Sequence, residues 1–168
     1  LASGEFFDEA DAAVTKAMQQ AAQVFVHLGA QVSAAPIPDV HEMARANVLM
    51  VVCDAATYHS QRLQSAPENF GADVRKRLEM GAGHSATVYA QARRIQSLSR
   101  HWFAQFFKDY DLLILPATPV AAPRLSTADA ASRAPQLTRF TAPFNLTGLP
   151  AISVPCGEIE DDGSVLPV

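Results

Sequence analysis

Residues 140–157 read FTAPFNLTGLPAISVPCG, a near-continuous apolar run broken chiefly by Asn145, Thr147, Gly148 and prolines. Gly148 lets the backbone turn, Pro150 opens a strand where no amide donor is needed, and Pro155 ends the pairing. The AISVP segment between them is therefore expected to be a short strand buried on both faces, which need not alternate polar with apolar. Asn145 is the polar exception, and an amide among apolar neighbours must find partners. It serves either as a clamp on nearby backbone or as a contact to substrate.

Upstream, DLLILP between Asp111 and Pro116 is a second compact apolar run of strand length, and Val165 to Val168 begins a third. Between the first two lies the Pro/Ala/Ser-rich loop 117–136, long enough to line a site. Helical periodicity fills the rest. Val14, Ala17, Ala21, Val24, Phe25 and Leu28 form one stripe of a helix from Asp8 to about Leu28, stopped by Gly29. AQVSAAPIP follows as a short strand. Asp39 with Glu42 three residues later makes a capping-box pattern opening a helix through about Ser60, whose VLMVVC run is apolar on several faces. A short basic helix from Asp73 is interrupted by Gly81 and Gly83. Ser85 then caps a longer helix to about Lys108 with Val88, Ala92, Ile95, Trp102, Phe103 and Phe106 on one stripe, its RRIQSLSR stretch reading as surface and its aromatics as core or subunit contact. Helices alternating with short apolar strands give an α/β class.

Length and composition narrow the function. At 168 residues, one domain burying roughly 70% of its unfolded surface is the default. Hydrophobic residues make up 49% and charged ones 18%, leaving apolar surface expected to meet something else, including a second copy through self-association. The net charge of −4, with scattered basic residues, offers no footprint for nucleic acid or an anionic membrane. No segment approaches the ~18 apolar residues of a span, and no secretory signal layout opens the chain. Cys53 and Cys156 both sit in segments that read as buried, so reduced thiols and a cytoplasmic setting are expected. The chain starts at Leu1 and stops at VLPV, an ending typical of mid-strand, so both ends are expected to be internal to a longer polypeptide.

The usual chemical constellations are missing. Arg45 stands where a zinc-protease helix would place its second histidine, and the five histidines and two cysteines lack ligand-like spacing, so no metal site is expected. No Gly-rich turn follows a strand to hold a phosphate, which disfavours a flavodoxin-like cofactor domain, and no cofactor is expected. No serine occupies a Gly-x-Ser-x-Gly elbow.

What remains resembles the amidase signature family. The resemblance rests on FTAPFNLTGLPAISVPCG, on DYDLLILPATPVAAP after an aromatic-rich helix, and on DVRKRLEMGAG followed by a helix containing YAQARR, in that order. It covers most of residues 70–157, with a looser match to the LGAQV…PIP unit. It implies the C-terminal portion of an α/β/α amidase fold, a mixed β-sheet flanked by helices, with residues 1–168 a partial domain. It also implies hydrolysis of a carboxamide C–N bond by a serine relayed through a cis-configured serine to a lysine. The family carries those residues in an N-terminal half absent from this chain. Lys16, Lys76 and Lys108 lie in helices without a Gly/Ser-rich segment and receive no catalytic role, so the isolated chain is expected to be inactive.

The resemblance further implies that residues 141–147 form a short turn or helix against the substrate cleft and that loop 117–136 approaches its entrance. Thr141 and Phe144 become cleft walls, with core packing the alternative. Arg77 falls where the amidase-type subunit of the glutamyl-tRNA amidotransferases has an arginine that helps hold a substrate carboxylate; a solvated basic face is its alternative. Those proteins also carry an acid three positions before the motif's threonine. Here Thr138 stands there, which favours a general amidase. A small-molecule amide is the implied substrate once the N-terminal half is supplied, and a non-catalytic structural or interaction fragment is the competing reading.

Overall fold

A computed structural model of the chain describes residues 1–123, 135–161 and 164–168. Strand β1 (Ala2–Ser3) pairs in parallel with β2 (Ala35–Pro36), Ala2 opposite Ala35. On the other side of β1, the Ala2 amide donates to the Ile114 carbonyl at 2.8 Å. The DLLILP run thus lies beside β1 through one hydrogen bond but forms no assigned strand.

Helix α1 (Glu5–Asp8), which sequence periodicity did not reveal, sends Phe6 and Phe7 into the core. Helix α2 (Ala12–His27) buries Val14, Ala17, Met18 and Ala22. Its stripe fades toward the end, where Val24, Phe25 and Leu28 are exposed. The predicted glycine stop is present: Gly29 has φ +94°, its amide donates to the Val26 carbonyl, and the Ala30 amide reaches back to Phe25. That pair of bonds is a Schellman closure, satisfying carbonyls the helix leaves open.

Helix α3 (Val40–Ser65) spans 26 residues and forms the axis of the fold. It packs against α4 (Ala72–Ala82), α5 (Ala86–Phe106) and α6 (Ala142–Thr147). The expected capping box does not form: Asp39 is itself left-handed, with φ 53°, and its side chain makes no capping bond. Asp tolerates that conformation, and the Met43 amide still closes the first turn on the Asp39 carbonyl. The helix runs past Ser60 and stops at Ala66, which precedes Pro67 and is sterically barred from the α region. Met50 and Val52 are buried, whereas Val48 and Val51 face outward.

Gly81 does not interrupt α4. It is buried inside that helix, where a methyl group would overlap the Val52 carbonyl of α3, so it is the point of closest helix approach. Helix α5 begins as expected, the Ser85 hydroxyl accepting the Val88 amide at 3.3 Å. Phe103 and Phe140 are fully buried and join Phe6, Phe7, Met43, Met50 and Leu146 in one core.

The AISVP segment departs most from expectation. Residues 149–157 form no strand; Ile152 is 88% and Val154 64% exposed. Beyond it, β3 (Glu158–Asp161) and β4 (Ser164–Pro167) make an antiparallel pair, Ile159 opposite Leu166. The chain leads into that hairpin over α2, with Gly157 against Ala17. Of loop 117–136, residues 124–134 lie outside the described part. Its first residues fold back on α2, the Asp11 amide donating to the Pro119 carbonyl at 2.8 Å.

Candidate functional site

Three of the four residues singled out from sequence come together on α6. Thr141 sits at its start, where its carbonyl accepts the Phe144 and Asn145 amides at 3.1 and 3.0 Å. Its hydroxyl donates to the Thr138 carbonyl. Pro143 is tolerated in the first turn, where an amide would lack an intrahelical acceptor. Gly148, left-handed at φ 72°, ends the helix and returns its amide to the Phe144 carbonyl at 2.9 Å. Phe144 is half-buried with its ring 5.6 Å from that of Phe103, so it belongs partly to the core. Asn145 is exposed rather than buried among apolar neighbours, because the apolar side of α6 is taken by Leu146 and Pro143.

The fourth residue, Arg77, stands exposed on α4, a separate helix that packs on α3. Its neighbour Arg75 pairs with Glu79 at 3.8 Å. Arg77 therefore lies on a basic helix surface, not on α6.

The backbone clamp expected of Asn145 is supplied from α5. The Gln96 amide nitrogen donates to the Leu146 carbonyl at 2.7 Å in a buried position, and Arg100 Nε donates to the Thr147 carbonyl at 2.9 Å. Arg93 holds Gln96 by donating to its Oε1 at 2.8 Å. These residues come from RRIQSLSR, which reads as surface: Gln96 and Ser99 are in fact buried, and Ser99 satisfies its hydroxyl on the Ile95 carbonyl. Helical spacing was the available signal, since 92, 96, 99 and 103 lie on one face with buried Ala92 and Phe103.

The entry to α6 is anchored separately. The Arg139 guanidinium pairs with the Glu9 carboxylate and lies 4.6 Å above the Phe6 ring, while Phe140 packs 5.2 Å from Phe7. The hydrogen bond from Arg139 holds the Glu9 carboxyl below its usual range, and Glu9 raises Arg139 in turn. Elsewhere, the Tyr89 hydroxyl donates to Asp54 at 2.7 Å, which pushes the Tyr89 pKa up. Cys53 is half-buried with its thiol raised by burial and by Asp54, but Cys156 is exposed, contrary to the expectation of two buried thiols.

Lys16 and Lys76 are exposed on α2 and α4, and Lys108 donates to Gln105. An open hollow of about 360 Å³ lies between α1 and the start of α3, lined by Phe6, Ile37, Asp39, His41 and Glu42 among others. Among the described residues, no group of His, Cys, Asp and Glu is placed to hold a metal ion. No helix among them is long and apolar enough to cross a membrane.

The motif on α6, the helix order and the strand pair at β1 coincide with one family. The Amidase family model matches residues 3–168, and the chain belongs to that family. An amidase of Pseudomonas putida is 33% identical over 165 residues, covering 93% of this chain and 35% of the relative. The amidase-type subunit of a glutamyl-tRNA(Gln) amidotransferase from Halothermothrix orenii is 39% identical over 95 residues, 54% of this chain and 20% of that protein. A solved structure described as a vestigial protein complex revealing the origins of an s-triazine catabolic enzyme superposes with TM-score 0.84 at 26% identity, over 99% of this chain and 37% of that one. An amidase crystal structure shares the fold at TM-score 0.83. The chain thus spans about a third of the curated relatives that match nearly all of it.

Proposed function

We propose that this chain is the C-terminal portion of an amidase that hydrolyses a carboxamide C–N bond, and that it contributes sheet and one wall of the substrate cleft. The observation that carries the reading is the pairing of a built α6 with an unbuilt ribbon. Helix α6 is fixed at both ends, whereas Leu149–Pro155 follows it extended, apolar and open to solvent. A family match over residues 3–168, in a chain spanning 35% of its amidase relative, supplies the reason. The ribbon belongs inside a mixed sheet whose other strands, with the serine–serine–lysine machinery, come from sequence outside this segment.

In this reading Thr141, Phe144 and Asn145 face a small-molecule amide from α6, and Arg77 supports a carboxylate from α4 once the rest of the cleft is in place. A general amidase is preferred to an amidotransferase component because Thr138 stands where those proteins carry an acid. The reduced thiols suit a cytoplasmic enzyme, and neither nucleic acid nor membrane is a partner. Alone, the exposed ribbon leaves the chain prone to self-association through unpaired backbone.

The test has two arms. Purified chain is assayed for amide turnover, with none expected; activity that survives purification and depends on a serine of this segment defeats the proposal. The chain is then combined with an N-terminal amidase segment: recovered hydrolysis supports the reading. A folded complex without activity favours a purely structural fragment.

A further inference from the structure

We propose that Gln96 and Arg100 are positioning residues which, by holding the Leu146 and Thr147 carbonyls, set the placement of the cleft-facing side of α6 and thereby substrate affinity. The inference rests on the cleft-wall reading above and adds the residues that make that wall rigid.

Helix α6 has only six residues, and a helix that short does not persist in water on its own. Its final carbonyls have no intrahelical partners, so their satisfaction decides whether the last turn exists as built. The Phe144 carbonyl takes the Gly148 amide. The next two bonded carbonyls, Leu146 and Thr147, take side chains of α5 that stand four residues apart on one face of that helix. Both donors carry information about orientation. Gln96 is 8% exposed and is held in turn by Arg93, so its amide cannot swing away without leaving the buried Leu146 carbonyl unsatisfied. Arg100 brings a cation to a helix C-terminus, where the aligned peptide dipoles favour positive charge, and its charged N–H makes the stronger kind of bond.

The consequence is directional. Leu146 is 2% exposed and Thr147 6%, so the clamped side of α6 is interior, while Asn145 projects outward and Thr141 lies half-buried one turn before it. Small displacements of groups that orient a substrate weaken binding and reaction disproportionately. A residue that never touches substrate can therefore tune its affinity by fixing the turn that does.

The experiment uses Gln96→Met and Arg100→Met, which keep bulk and remove the donors, with Arg100→Lys as the variant that keeps a cation and a donor. Amide hydrogen exchange in the intact chain is read at Asn145 and Gly148. Protection there is expected to fall by about tenfold, with α3 unchanged and Arg100→Lys partly restored. In the catalytically competent protein containing this segment, KM is expected to rise by roughly threefold or more with kcat nearly kept. A merely structural defect lowers the active fraction, and so apparent kcat, without moving KM. Unchanged exchange at α6 in both methionine variants overturns the proposal. So does a loosened α6 with unchanged KM while Thr141→Val and Asn145→Ala raise KM; in that case the cleft-wall reading survives. If those two variants also leave KM unchanged, the cleft wall itself has failed, and the affinity claim with it.

Discussion

Helix α6 and the ribbon that follows it come from one continuous apolar stretch, yet they have opposite fates. Phe140 is fully buried and Leu146 nearly so, whereas six residues later Ile152 is 88% exposed. The difference lies in the available partners, not in the side chains. Helix α6 closes most of its hydrogen bonds within itself and finds α3 and α5 inside the same chain. An extended segment cannot satisfy its own backbone and waits for a neighbouring strand. Apolar character thus states a demand for burial without naming what meets it.

The sharpest test of the contrast is Phe140→Ala, which removes a ring packed on Phe6 and Phe7 and is expected to destabilise the chain by about 3–5 kcal/mol in urea denaturation. A loss below about 1 kcal/mol would mean that α6 is no better packed than the ribbon. Gly148→Ala comes next. The left-handed φ of 72° penalises a Cβ by about 1 kcal/mol, although space is available beside Arg100. A stabilising outcome would show that the turn between the two regions is not held in that conformation.

Smaller still is the contribution of Glu9 and Arg139, which anchor the entry to α6. The folded-state pKa of Glu9 is depressed, so its contribution is present above the ordinary carboxylate value and is lost as pH falls through the depressed one. The Tm advantage of the native chain over Glu9→Gln should therefore shrink on acidification from about pH 7 to about pH 3, and shrink also in high salt. An advantage that grew on acidification would exclude the pairing. Ile152→Ser should change stability by no more than about 0.5 kcal/mol in this chain. A loss of about 2 kcal/mol or more would show that the ribbon already has a covering partner.

Much of this arrangement is readable from the sequence, and the errors share a cause. Ser85 and Gly29 act through local geometry, and both stand where their chemistry places them. Asp39 follows the letter of a capping box, but its own backbone turns left-handed and aims the side chain elsewhere. Gly81 reads as a breaker because a missing side chain weakens a helix; its use here, close approach to Val52, depends on a helix some thirty residues away. The site divides in the same manner. Thr141, Phe144 and Asn145 share one short motif and so arrive together, while Gln96 and Arg100 are about fifty residues earlier and read as solvated surface. Long-range pairing is what a single sequence encodes least directly.

The ribbon ends at Cys156, whose thiol is open to solvent, while Cys53 is half-buried with its thiol pushed up beside Asp54. Because the thiolate is the reactive form, a maleimide dye should label position 156 well before position 53. The chain therefore offers a native attachment point for fluorescence, and quenching or protection of that label would report, in real time, the arrival of whatever strand completes the sheet.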